Sequence, residues 1–181
     1  MGAGKTALVN HLLRHAAGRR IAVLCHEFGD LPIDEDLLEA EGEDMIAISG
    51  GCICCSFGSD LTAALIKLAE LAPPPDHVVI EASGVAMPGT VALSISILPG
   101  FALAGVVVLA DGERVQAQAD DDYIGDTILR QLSDADVIVH SKTDLQRDDG
   151  AVEAVESWLQ AMAPQAKIVP TSQGRVPPDI I

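Results

Sequence analysis

Apolar runs along the chain alternate with segments in which apolar residues recur every three or four positions. Residues 21–25, 45–49, 77–81, 106–111, 137–140 and 167–171 read as strands. Several are continuous Val/Ile/Leu runs without polar alternation, as expected of parallel strands buried on both faces. Between them, residues 5–17 carry Leu8, Leu12, Leu13 and Ala16 on one helical face. Residues 59–72 carry Leu61, Leu65, Leu68 and Ala72, with Ser59 or Asp60 placed to cap the helix. Residues 126–134 and 151–163 read as further helices. Residues 87–98 suit either a helix or a strand, and helix is the reading taken. Pro73-Pro74-Pro75 is a stiff connector from helix to strand. The alternation predicts an α/β fold, a doubly wound, mostly parallel sheet with helices on both faces. Ligands then bind at the carboxyl ends of the strands.

Length and composition narrow this picture. The chain has 181 residues, one ordinary domain. Apolar residues make up 49% and aromatics 3%, so the core is aliphatic. The net charge of −16 argues against a nucleic-acid or anionic-membrane partner, because each phosphate contact needs a cation. No apolar run approaches the roughly 18 residues that span a bilayer. No secretory signal is visible, which points to a reducing, cytoplasmic setting.

Five clusters carry candidate chemistry. Gly4-Lys5-Thr6 stands at the head of the first helix. In a phosphate-binding loop, backbone N–H groups wrap the phosphates, Lys reaches the outer oxygens and Thr binds Mg²⁺. A bare Gly-Lys-Thr is equally an ordinary helix start. The first Gly of the full loop would fall before Met1, as would the strand that feeds it. The sequence therefore leads us to expect a polypeptide that begins upstream, with that strand central in the sheet. Glu81-Ala-Ser-Gly84 ends a buried run. The acid suits Mg²⁺ or its water, and the Gly suits close approach to a terminal phosphate; the bland alternative is a solvent-facing strand end.

Ser141-Lys142-Thr143-Asp144 follows another strand. An Asp carboxylate accepts from the N1–H and N2–H₂ edge of guanine, which adenine lacks, and a Lys stem lies along a base. The alternative is a polar turn. Cys52, Cys54 and Cys55 crowd into four positions behind Gly50-Gly51. Such thiolates favour Zn²⁺, Cu(I), Fe–S clusters or Co²⁺, and three ligands leave a tetrahedral position open. A vicinal disulfide or small buried hydrophobes are the alternatives. Cys25 and His26 read as structural, with metal binding the alternative for His26, whereas Glu27 has the chemistry to face Mg²⁺.

Together these motifs resemble the CobW-like P-loop GTPases, a family of metal chaperones and metallocofactor-assembly GTPases. The resemblance runs from Gly2 to about Gly174. Gly2-Ala3-Gly4-Lys5-Thr6 is similar to the tail of the family's GxLGAGKT loop. His26-Glu27-Phe28-Gly29 with Ile33-Asp34 resembles its NEFG…ID segment, and Gly51-Cys52-Ile53-Cys54-Cys55 its GCICC signature. Glu81…Gly84…Pro88 resembles its ExxG…P switch, and Gln131…Ala135-Asp136…Ser141-Lys142-Thr143-Asp144 its Q…AD…NKxD region. Thr171-Ser172…Gly174 resembles its base-side loop. Asn is usual where His26 and Ser141 stand. The chain ends where the family's smaller C-terminal domain would begin, leaving residues 1–181 as a single GTPase domain.

The resemblance implies a slow GTPase that holds a divalent ion at Cys52, Cys54 and Cys55 and couples its release to hydrolysis. Gly2, Ala3, Gly4, Lys5, Thr6, Gly84, Ser141, Lys142 and Asp144 would bind the nucleotide. Lys5 and Glu81 would serve hydrolysis, and Thr6, Glu27 and Glu81 would hold Mg²⁺. Expected ligands are GTP, Mg²⁺ and Zn²⁺ or Co²⁺. The expected partner is a metalloprotein or cofactor-assembly client, with a homodimer as a further candidate. Two other readings compete. One is a P-loop ATPase or small-molecule kinase, against which Asp144 argues. The other is a thiol-rich zinc-binding module that turns over no nucleotide.

Overall fold

The computed structural model describes residues 2–16, 18–25, 45–49, 60–84 and 86–177. Six strands alternate with helices: β1 (Ile21–Cys25), β2 (Met45–Ser49), β3 (His77–Glu81), β4 (Val107–Asp111), β5 (Val137–Ser141) and β6 (Lys167–Pro170). The helices are α1 (Lys5–Arg14), α2 (Asp60–Ala69), α3 (Pro88–Ser96), α4 (Val115–Ala119), α5 (Gly125–Ser133) and α6 (Asp149–Met162). Residues 87–98 therefore hold a helix, with Pro88 at its first turn, where the missing N–H costs nothing. The short α4 escaped the periodicity, being too brief to show one. The helix from residue 5 stops at Arg14, and the one from 59 stops at Ala69, four residues before the prolines. The Asp148 carboxylate starts α6 earlier than the apolar pattern does, by accepting from Ala151 N at 2.9 Å.

Every ladder is parallel. Among the described residues the strands form two three-stranded sheets, β2-β1-β3 and β4-β5-β6. Among the described residues, β3 and β4 each have a single ladder partner.

Alternate residues of β1 and β5 feed opposite faces, so both faces are covered. From β1, Ala22 and Leu24 pack with Leu61, Leu65 and Leu68 of α2 and Val91 of α3. Val23 faces the other way, onto Val9 of α1. From β5, Ile138 packs with Leu132 of α5 and Val155 and Leu159 of α6. Val139 faces Leu8 and Leu12 of α1. Helix α1 thus lies across one face of both sheets, Val9 and Leu13 on the first and Leu8 and Leu12 on the second. The N-terminus of α1 lies at the carboxyl end of β5, where Ser141 Oγ comes within 2.8 Å of Ala3 O. Among the described residues no helix is long and apolar enough to cross a membrane.

Candidate functional site

The loop before α1 is built on glycine. Gly2 and Gly4 have φ of 82° and 95°, backbone that other residues adopt only with strain. Gly4 caps α1 without a side chain, and the first turn carries no acid. The leading N–H groups of the helix, with its positive dipole end, therefore form a cradle suited to an anion. Lys5 is half-buried beside it, and Thr6 is exposed on the first turn.

The carboxyl end of β5 is bound to this loop. Ser141, 3% exposed, directs its hydroxyl at Ala3 O, 2.8 Å away, with Ala110 O at 3.2 Å. Its hydroxyl thus holds the Gly2–Thr6 loop to the strand. Lys142 follows in left-handed backbone, φ 61°. Its ammonium donates to Asp111 Oδ2 at 2.7 Å. Asp111 ends β4, is 4% exposed and also accepts from Glu113 N at 3.1 Å. The Lys142 stem is thereby fixed at its charged end. A 3₁₀ turn over Thr143–Leu145 then presents Asp144 to solvent.

A second loop closes this side. Thr143 N donates to Thr171 O at 3.3 Å, and Thr171 Oγ1 donates to Arg175 O at 2.8 Å. Gly174 has φ 69°, and a Cβ there would sit 3.0 Å from Ala7 C and Leu8 N. Only glycine lets this loop lie against α1. His11 Nε2 reaches Val176 O at 2.8 Å and holds the loop from the other side.

Glu81 ends β3 in register with Cys25 of β1 and, through it, Ser49 of β2. Glu81, Asp111 and Ser141 therefore stand at the carboxyl ends of their strands, and Ser141 is bonded to the Gly2–Thr6 loop there. β2 ends at Ser49, three positions before Cys52, the first of the cysteines Cys52, Cys54 and Cys55. Those cysteines, with His26, Glu27 and Asp34, lie outside the described residues. Gly84 is described, and its carbonyl accepts from Gln131 Nε2 at 3.1 Å. The sequence missed Asp111, although its signal matches that of Glu81: an acid closing an apolar run.

Beneath the Ser141–Asp144 turn lies His140, fully buried. Its Nδ1 is 3.6 Å from Glu156 Oε1, too long for a hydrogen bond, and neither ring nitrogen has a partner. Burial lowers its pKa below the usual 6.5, with Glu156, Gln146 and Asp111 offsetting part of the effect. The unfolded chain therefore binds the extra proton more readily than the folded one. The stability contributed by neutral His140 is complete above pH 6.5 and lost as pH falls through the folded pKa. Urea midpoints at about pH 7.5 and 5.5 are expected to differ more for the wild type than for His140→Leu. Equal differences would mean that His140 takes no part in the acid sensitivity.

The CobW/HypB/UreG nucleotide-binding domain matches residues 1–170. A zinc chaperone CobW from Sinorhizobium sp is 35% identical over 173 residues, covering 80% of this chain and 49% of its own length. A zinc-regulated GTPase metalloprotein activator 1 from Schizosaccharomyces pombe is 32% identical, covering 97% of this chain and 44% of its own. The crystal structure of Zn(II)-bound YjiA GTPase from E. coli superposes with a TM-score of 0.67 at 25% identity, over 98% of this chain and 56% of that one. HypB from Helicobacter pylori in complex with nickel shares the fold, with a TM-score of 0.61 at 19% identity over 98% of this chain and 76% of its own. The chain spans about half the length of the curated relatives it matches. It belongs to the CobW/HypB/UreG nucleotide-binding domain family.

Proposed function

We propose that this chain binds and hydrolyses GTP and couples that cycle to holding and releasing a divalent metal ion, zinc or cobalt, for a metalloprotein client. The observation that carries the nucleotide half is the 2.8 Å contact from Ser141 Oγ to Ala3 O, which joins an anion cradle to a guanine-type turn. The names of the relatives, zinc chaperones and a zinc-regulated GTPase activator, support the metal half.

In this reading, the Gly2–Lys5 backbone and the Lys5 ammonium hold the phosphates, and Asp144 accepts from the base. Thr6 and Glu81 are oxygen donors of the kind Mg²⁺ takes, and Glu27 is the third candidate. Bound there, Mg²⁺ would neutralise charge between the outer phosphates. Lys5 and Gly84 would meet the charge that develops on the leaving and transferred groups. The ion carried by Cys52, Cys54 and Cys55 is cargo, and the open fourth position lets a client thiol or imidazole take it over.

Phosphate release from GTP and from ATP tests the reading, with Lys5→Ala as the control. We expect slow turnover of GTP, much less of ATP, and a loss of about a hundredfold or more in the variant, as when a transition-state donor is removed. Turnover of ATP at the GTP rate would favour the ATPase reading. Metal binding without turnover would favour the zinc-module reading.

A further inference from the structure

The segment between Glu81 and α3 is anchored by the end of α5. Gln131 donates both of its amide hydrogens outward: Nε2 lies 3.1 Å from Gly84 O and 2.8 Å from Ala86 O. One turn later, Asp134 Oδ2 accepts from Gly89 N at 2.9 Å. At that junction a Cβ on Gly89 would come within 2.6 Å of Asp134 Oδ2, so the backbone of α3 approaches closely. Leu132, between the two anchors, is 1% exposed in the core under β4-β5-β6. Three hydrogen bonds thus fix a backbone segment rooted in the β2-β1-β3 sheet to a helix rooted in the other. Gly84 itself is exposed, so intrinsic packing does little to place it. A flexible glycine that must meet a ligand has to be held from behind, and Gln131 is the side chain that holds it.

We propose that Gln131 is a positioning residue that sets the backbone at Gly84 to meet the terminal phosphate, and thereby distinguishes GTP from GDP. The inference rests on the reading of the Gly2–Thr6 loop and Asp144 as a guanine nucleotide site. GDP uses the cradle and Asp144 but offers nothing to Gly84. Its affinity is therefore indifferent to Gln131, whereas the affinity of a triphosphate is not. Leucine at position 131 has nearly the same size and no donor, so it frees both carbonyls without opening a cavity. Lysine keeps donors for both.

The test is a pair of binding titrations, GDP and a non-hydrolysable GTP analogue with Mg²⁺, on wild type, Gln131→Leu and Gln131→Lys. For Gln131→Leu we expect the analogue to weaken about tenfold, the loss of a hydrogen bond or two, while GDP stays within about twofold. Gln131→Lys should keep most of the wild-type ratio. GDP binding doubles as the measure of a folded site, which a merely structural lesion would lower along with the analogue. Equal weakening of the two ligands in Gln131→Leu, no weakening of either, or the same ratio loss in Leu and Lys would overturn the proposal. Wild-type chain that binds neither nucleotide would overturn the underlying site reading, and this inference with it.

Discussion

Asp144→Asn is expected to remove most of the preference for guanine over adenine nucleotides. The side chain stands exposed on the 3₁₀ turn over Thr143–Leu145, with Lys142 in left-handed backbone before it and Thr143 N bonded to Thr171 O behind it. That turn is thus held at both ends while the carboxylate remains accessible. Two acceptor oxygens suit the N1–H and N2–H₂ edge of guanine. Asparagine replaces one of them with a donor that faces the base's own donors. Hydrogen bonds to charged groups contribute roughly 1.5–3 kcal/mol, so GTP should weaken between about tenfold and a hundredfold. Xanthine nucleotides, whose C2 oxygen accepts, should gain. Competition among GTP, ATP and XTP measures all three, and unchanged GTP affinity in the variant would place the base elsewhere.

The second large effect concerns the metal. Replacing Cys52, Cys54 and Cys55 together with Ser should weaken Zn²⁺ binding by more than about a hundredfold, the loss produced elsewhere by disturbing even a supporting group of a metal site. Hydroxyls are hard, weakly acidic ligands, whereas thiolates match the ion's softness. Wild-type affinity should rise with pH as thiols ionise near pKa ~8.5, because binding releases their protons. Cys25→Ser should leave the affinity unchanged. Stoichiometric Zn²⁺ on the triple variant would rule these cysteines out as the carrier.

How far the sequence could lead differs from element to element. All six strands of the described residues were legible, because apolar runs such as residues 137–139 are a local property, and so was the αβ alternation. The division into two sheets was not, since which strands pair depends on contacts distant in sequence. The phosphate loop and Asp144 were visible as motifs. The contact that unites them, Ser141 Oγ to Ala3 O, joins residues 138 positions apart and leaves no local trace. Nor does the sequence announce that the Ser141 hydroxyl reaches the loop backbone or that the Lys142 ammonium reaches Asp111. Asp111 and His140 were passed over because each is polar within an apolar run, a pattern that reads as a strand end. Glu81 falls at its strand end as expected, while Glu27 and the three cysteines lie outside the described residues.

On the proposed reading, nucleotide and metal are energetically linked. A loop ordered by the terminal phosphate would press on the metal site, and the linkage must be reciprocal. Metal should then tighten GTP over GDP by the factor by which GTP, over GDP, tightens the metal. The direct measurement is Zn²⁺ affinity determined twice on the same chain, once saturated with a non-hydrolysable GTP analogue and once with GDP. Binding between about fivefold and 150-fold tighter in the triphosphate state is the expected result. Identical affinities in the two states would contradict the coupling, leaving two independent sites on one fold.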